Sequence, residues 1–157
     1  MQGNPIFMQK AIALATENVR SGRGGPFGAV IVRGGEIIAT GANLVTATND
    51  PTAHGEIVAI RNACAALESF QLLGCHIYTS CEPCPMCLAA IYWARLEAIF
   101  YGCCAADAAA AGFDDAFLYG EMKFPIDKRK IPAVNLLPGE AISAFDAWRA
   151  QFDRIDY

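Results

Sequence analysis

Two short stretches carry the groups from which a catalytic metal centre can be built. Pro83-Cys84-Pro85-Met86-Cys87 spaces two thiols three residues apart, and on a helix such residues lie on one side of a turn, so both sulfurs can reach one ion. Pro85 suits the first helical position, which leaves Cys84 as the cap, where the positive end of the helix favours thiolate over thiol. His54-Gly55-Glu56 supplies an imidazole and a carboxylate two positions apart. Inside an ideal helix that spacing would send them to opposite sides, so His54 is expected at a helix start, where both groups can face the metal. Zinc takes two thiolates and one neutral imidazole readily, and three protein ligands leave a fourth position for water.

A water in that position is acidified enough to yield hydroxide near neutral pH, and Glu56 is placed to take its proton and pass it onward. That is the chemistry of hydrolytic deamination. Each fragment alone has a plainer explanation. A C-x-x-C pair also occurs in redox motifs and closed structural zinc sites, a lone histidine caps or packs, and a lone glutamate answers a helix dipole. A closed structural site would make the domain a non-enzymatic interaction module, and it needs a fourth ligand, for which Cys81 is nearest in sequence. Together, H-x-E followed by P-C-x-x-C is the zinc deaminase signature.

These groups need a scaffold. Asn4-Pro5 reads as a cap and a first helical residue, with Met8, Ile12, Ala15 and Val19 following at helical spacing as far as Ser21. Residues 27–32 and 36–42 read as two strands joined at Gly34-Gly35, a pair suited to a tight hairpin. After a polar loop at 45–52, Ile57, Ile60, Cys64 and Leu67 mark a second helix, then come a strand at 76–79, a helix at 85–95 and a strand at 98–101. Strands alternating with helices imply crossovers and a sheet covered on both faces, hence a three-layer α/β/α domain with a central mixed sheet of about five strands. Gly112-Phe113-Asp114-Asp115 is a turn or loop bearing two carboxylates. Residues 123–132 form an exposed, charged linker, 134–137 an edge strand, and Ile142, Phe145, Trp148, Phe152 and Ile155 a last amphipathic helix.

Composition narrows the function classes. The chain has 157 residues, 54% of them hydrophobic and 18% charged, which fits one folded domain, 1–157, with no disordered tract. Seven cysteines are an odd count, and without a leader segment or an apolar span they point to metal ligands and buried thiols in a reducing cytoplasm. A net charge of −4 argues against a nucleic-acid partner and for a small, free substrate.

Over nearly its whole length the chain resembles the cytidine-deaminase-like superfamily of zinc-dependent nucleobase deaminases, and within it the guanine deaminases. Beyond the zinc motif, the resemblance is carried by 24–30 (Gly-Gly-Pro-Phe-Gly-Ala-Val), 49–54 (Asn-Asp-Pro-Thr-Ala-His), 79–87, 90–95 (Ala-Ile-Tyr-Trp-Ala-Arg) and 112–115. It departs at Gly55, where close relatives carry alanine; no catalytic atom is lost there. The resemblance implies guanine as substrate and zinc as cofactor. It also implies that Asn43 hydrogen-bonds the base, that Phe27, His54 and Trp93 pack against its faces, and that Asp115 and Tyr157 complete recognition. Asp115 is further expected to assist Glu56 in proton delivery. A homodimer in which the C-terminal segment 121–157 is swapped between subunits is implied in the same way. The metal motif does not itself separate guanine from guanosine, cytosine, an aminotriazine or adenosine in transfer RNA.

Overall fold

A computed structural model describes residues 2–157 and divides into two compact units, the first ending at Asp115 and the second spanning Ala116–Tyr157. Helix α1 (Pro5–Arg20) starts as its sequence requires: the Asn4 side chain accepts from the Ile6 N–H, and Pro5 takes the first position. Its buried stripe is not the expected one. Ala11, Ala15 and Asn18 face inward, whereas Ile12 and Val19 are 46% and 51% exposed. The cause lies on the strand beneath, where a Cβ at Gly28 would stand 2.5 Å from the Ala11 carbonyl oxygen and 2.7 Å from the Ala15 nitrogen. Helix and strand backbones are in contact, so only small side chains fit between them.

Strands β1 (Gly28–Arg33) and β2 (Glu36–Ala42) form the expected antiparallel hairpin, and Gly34 and Gly35 both adopt positive φ, as its tight turn demands. A single helical turn, α2 (Val45–Thr48), occupies part of the stretch expected as loop. Then follow α3 (Gly55–Leu67), β3 (Cys75–Cys81), α4 (Pro85–Trp93), β4 (Ala98–Cys103) and α5 (Ala105–Ala110). The sheet order is β2-β1-β3-β4, with β1 antiparallel to both its neighbours and β3 parallel to β4. The sheet is mixed, as expected, but among the described residues it has four strands rather than about five. Residues 134–137 are not a strand: they lie between Pro132 and Pro138, which have no N–H to offer a ladder, and Leu137 turns into the left-handed region.

Alternation along β1 produces the layers. Ala29 and Ile31 pack with Ala59 and Ala63 of α3 and Ile91 of α4, while Val30 and Val32 pack with Ala11, Phe7 and Met8 of α1 on the other face. Helix α3 also sits close to its strand. A Cβ at Gly41 would meet the Gly55 carbonyl oxygen at 2.2 Å and the Ala59 nitrogen at 2.4 Å, so the first turn of α3 is held at one distance from β2.

The second unit contains α6 (Ala116–Met122), a 3-10 turn (Ile126–Lys128) and α7 (Pro138–Ala150). The Lys130 backbone N–H donates to the Glu121 carboxylate at 2.6 Å, and its ammonium lies 5.2 Å from the centre of the Phe117 ring, so the charged linker is tied back to α6. Helix α7 stops before Phe152 and Ile155, which the periodicity had placed on it. The Arg154 guanidinium donates to the Arg149 carbonyl at 3.3 Å and satisfies one of the helix's terminal acceptors.

Candidate active site

Two helices begin at one place. His54 is the N-cap of α3 and Cys84 the N-cap of α4; both backbones are extended, and neither side chain makes a capping hydrogen bond. Both side chains are therefore free to turn toward a shared point, and Cys87, buried in the first turn of α4, joins them. The His54 Nδ1 atom lies 3.6 Å from Cys84 Sγ and 3.5 Å from Cys87 Sγ. For a zinc ion with Zn–S near 2.3 Å and Zn–N near 2.05 Å, a tetrahedral angle places nitrogen and sulfur about 3.6 Å apart. Both nitrogen–sulfur separations thus match the edge of a zinc tetrahedron, and all three donor atoms lie within 4.8 Å of one another.

The electrostatics agree with that geometry. A hydrogen bond from the Cys87 thiol, with further help from His54, pulls the Cys84 thiol down to about 4. Cys87, which keeps the shared proton beside the Cys84 thiolate and is also buried, is pushed up. The hydrogen bond to Cys84 raises His54. Left to themselves, the two sulfurs hold one proton between them, and a divalent cation would release it. Two helix N-termini pointing at the same spot favour the thiolates further.

Cys81 is not a fourth ligand. Its buried thiol, pushed up to about 11 chiefly by desolvation, approaches the Cys104 carbonyl oxygen at 3.7 Å. Among the described residues, the grouping of possible metal donors is His54, Cys84 and Cys87 alone. Among the described residues, no fourth donor joins them to close the site.

Glu56 lies in the first turn of α3, 5% exposed, and burial raises its carboxyl above the usual range. It is close enough to Cys87 for their side chains to influence each other's protonation. A carboxylate desolvated beside a metal-ligand set is a stronger base than one in water. Gly55, between ligand and base, is itself buried. A Cβ there would stand 3.2 Å from the Phe27 carbonyl oxygen, so an alanine would press on the loop that enters β1.

The remaining expected residues fall into three groups. Phe27 packs edge-on against Phe113, ring centres 4.9 Å apart, and the Asn43 N–H donates to the Phe27 carbonyl at 3.0 Å, so one aromatic side chain and one buried amide are fixed together. Asp115 is raised by desolvation first and by the Cys84 thiolate second, which places it within electrical reach of the candidate metal donors. Trp93 ends α4 at 65% exposure, and Tyr157 belongs to the second unit, where its ring meets that of Trp148 at 6.3 Å. Two residues escaped the sequence reading. Phe113 was visible only as part of a turn motif, and Asn18 gave no signal, because a polar residue on a surface helix normally reads as solvated.

The sequence of residues 1–103 matches the cytidine and deoxycytidylate deaminase zinc-binding region. The chain is 54% identical over 151 residues to the guanine deaminase of Bacillus subtilis, covering 96% of this chain and 97% of that one. An X-ray structure of guanine deaminase from Bacillus subtilis superposes with a TM-score of 0.96 at 52% identity, over 99% of both chains. A tRNA-specific adenosine deaminase from Agrobacterium fabrum is 48% identical, but over only 77 residues, 49% of this chain and 51% of that one. With the His-Cys-Cys donor set and the buried glutamate in place, the chain belongs to the cytidine and deoxycytidylate deaminase family defined by that zinc-binding region.

Proposed function

We propose that the chain hydrolyses guanine to xanthine and ammonia, with zinc held by His54, Cys84 and Cys87. The observation that carries this is the meeting of those three donors beside the buried Glu56, in a chain whose likeness to a guanine deaminase runs end to end. When bound, zinc supplies acidification of a water molecule at neutral pH. Glu56 would take a proton from the attacking water as the water oxygen bonds to C2, and would deliver that proton to N3 of the purine, leaving C2 tetrahedral. The amino group must then leave as ammonia, because amide anion is far too poor a leaving group, so a second proton is needed. Glu56 would take it from the hydroxyl now on C2 and pass it to the amino nitrogen, so that C2–N breaks and the C2 carbonyl of xanthine forms, with Asp115 as an auxiliary carrier.

Recognition falls to the flanking groups. The Asn43 Oδ1 atom accepts from the Val45 N–H at 3.3 Å, and its Nδ2 donor would serve an acceptor on the base. Phe27, His54 and Trp93 supply flat faces, and Asp115 and Tyr157 complete the polar edge; a base lacking the matching groups would leave buried partners unpaired. Incubation of zinc-loaded protein with guanine, guanosine, adenine, cytosine and ammeline, followed by ammonia release, tests the assignment. Guanine is expected to turn over at least tenfold faster than the others. Preference for another amine would reassign Asn43, Asp115 and Tyr157 while leaving the metal chemistry in place.

The protein is further assigned to the cytoplasm, where a reducing environment keeps its thiol ligands available, and to a homodimer that exchanges the segment 121–157. Among the described residues, no helix is long and apolar enough to cross a membrane. Supporting the dimer, no residue of α6 or α7 is buried, although Phe117, Ile142 and Phe145 are large apolar groups, and a unit this small cannot assemble a core from its own side chains. Sedimentation at micromolar concentration is expected to give twice the chain mass. A monomer that retains full activity would overturn both the dimer and the exchange.

A further inference from the structure

Asn18 is fully buried on α1, on the face of the sheet opposite the helices that carry the metal ligands, and it belongs to neither hydrophobic cluster. Its amide nitrogen donates twice, to the Gly25 carbonyl at 2.9 Å and to the Asn43 carbonyl at 2.7 Å. Both acceptors belong to segments that lead to the base-binding side chains: Gly25 comes two residues before Phe27, and Asn43 is itself one of them. Among the described residues the Asn18 Oδ1 atom, which is buried, has no partner. Turning the amide over would place that oxygen against two carbonyl oxygens, so the orientation is dictated by the two donated bonds, with the unpaired oxygen as its cost.

The packing around this amide leaves no slack. A Cβ at Gly24 would stand 2.3 Å from the Asn43 carbonyl oxygen and 3.1 Å from the Asn18 amide nitrogen. Asn43 is consequently fixed at three points: its N–H by the Phe27 carbonyl, its C=O by Asn18, and its Oδ1 by the Val45 N–H. Its Nδ2 donor is left to address a ligand. We infer that Asn18 is a positioning residue for purine recognition, which holds the 24–27 loop and Asn43 in register so that the Asn43 amide meets the base already oriented. The inference rests on the assignment of Asn43 as a base-contacting residue.

The test is a double-mutant cycle on zinc-loaded protein, with Asn18→Ala, Asn43→Ala and the double variant assayed for KM and kcat with guanine. Asn18→Asp serves as a second probe that keeps the shape and removes the donor. Asn18→Ala is expected to raise KM about tenfold, with kcat within threefold of the parent and zinc content unchanged. The double variant should be no worse than Asn43→Ala alone, because groups that act through one another are not additive. A lower Tm with unchanged KM, or fully additive effects, would overturn the inference and leave Asn43 as assigned. An Asn43→Ala variant with parental KM would instead remove the base-contact assignment, and the inference with it.

Discussion

Replacing Glu56 with alanine is expected to lower kcat by a factor on the order of 10² to 10⁴, the range spanned by general acid–base catalysis, while zinc stays bound at one ion per chain. The two halves of that result have separate causes. Glu56 is outside the donor set formed by His54, Cys84 and Cys87, so its loss removes no metal ligand. It is also the buried carboxyl next to that set, and its removal takes away the group to which proton transfer between water and base is assigned. Folding should not suffer, since a desolvated carboxyl is a burden to the folded state. Metal analysis beside ammonia release separates the two effects. Turnover within tenfold of the parent, with metal retained, would assign proton transfer to another group, Asp115 being the nearest in charge environment. Loss of both metal and turnover would make Glu56 part of the metal site.

The second large effect is expected at Cys87. Its sulfur is fully buried, 3.5 Å from His54 Nδ1, at the corner of the tetrahedron least open to replacement by solvent. Cys87→Ala leaves only His54 and Cys84, and zinc affinity should drop by more than about 100-fold, the upper end of what is lost when only a group behind a metal ligand is removed. Activity should go with it. Dialysis against a mild chelator and a zinc assay give the direct measurement, and cobalt substitution adds a check, because the sulfur-to-metal absorption of the parent should reflect two thiolates. Cys103→Ala is the control: that thiol is exposed and outside the donor grouping, so metal and turnover should both persist. Zinc retained by Cys87→Ala at parental affinity would exclude Cys87 as a ligand.

Much of the site was legible in the sequence because its parts sit where helices begin. Helix starts are announced by local chemistry, and both Pro85 after Cys84 and the mismatch of the His54–Glu56 spacing with helical periodicity pointed to caps, which the two N-cap conformations bear out. The hairpin was legible for a similar reason, since a glycine pair between two β-patterned runs has few other uses. What failed was any inference that depended on distance between elements. Ile12 and Val19 have the right spacing for a core face, yet the approach of α1 to Gly28 admits only alanine and turns the helix so that Asn18 points inward. The C-terminal helix failed for the opposite reason: its apolar period continues past Gln151, but the backbone turns extended there and Arg154 closes the end. Side-chain pattern does not encode how near two backbones will come, nor which long side chain will reach back to a free carbonyl.

Every atom assigned to the bond-breaking chemistry, apart from the auxiliary Asp115, comes from the stretch between His54 and Cys87, pinned by two helix starts against the middle of the sheet. The groups assigned to the purine lie mostly outside it, at Phe27, Asn43, Trp93, Asp115 and Tyr157. Reaction and substrate can therefore be inherited independently. A lineage can exchange the loops and the tail to accept a different amine while leaving the stretch from 54 to 87 intact, and an engineer seeking a new deaminase from this chain would find the changeable positions at its margins and none at its centre.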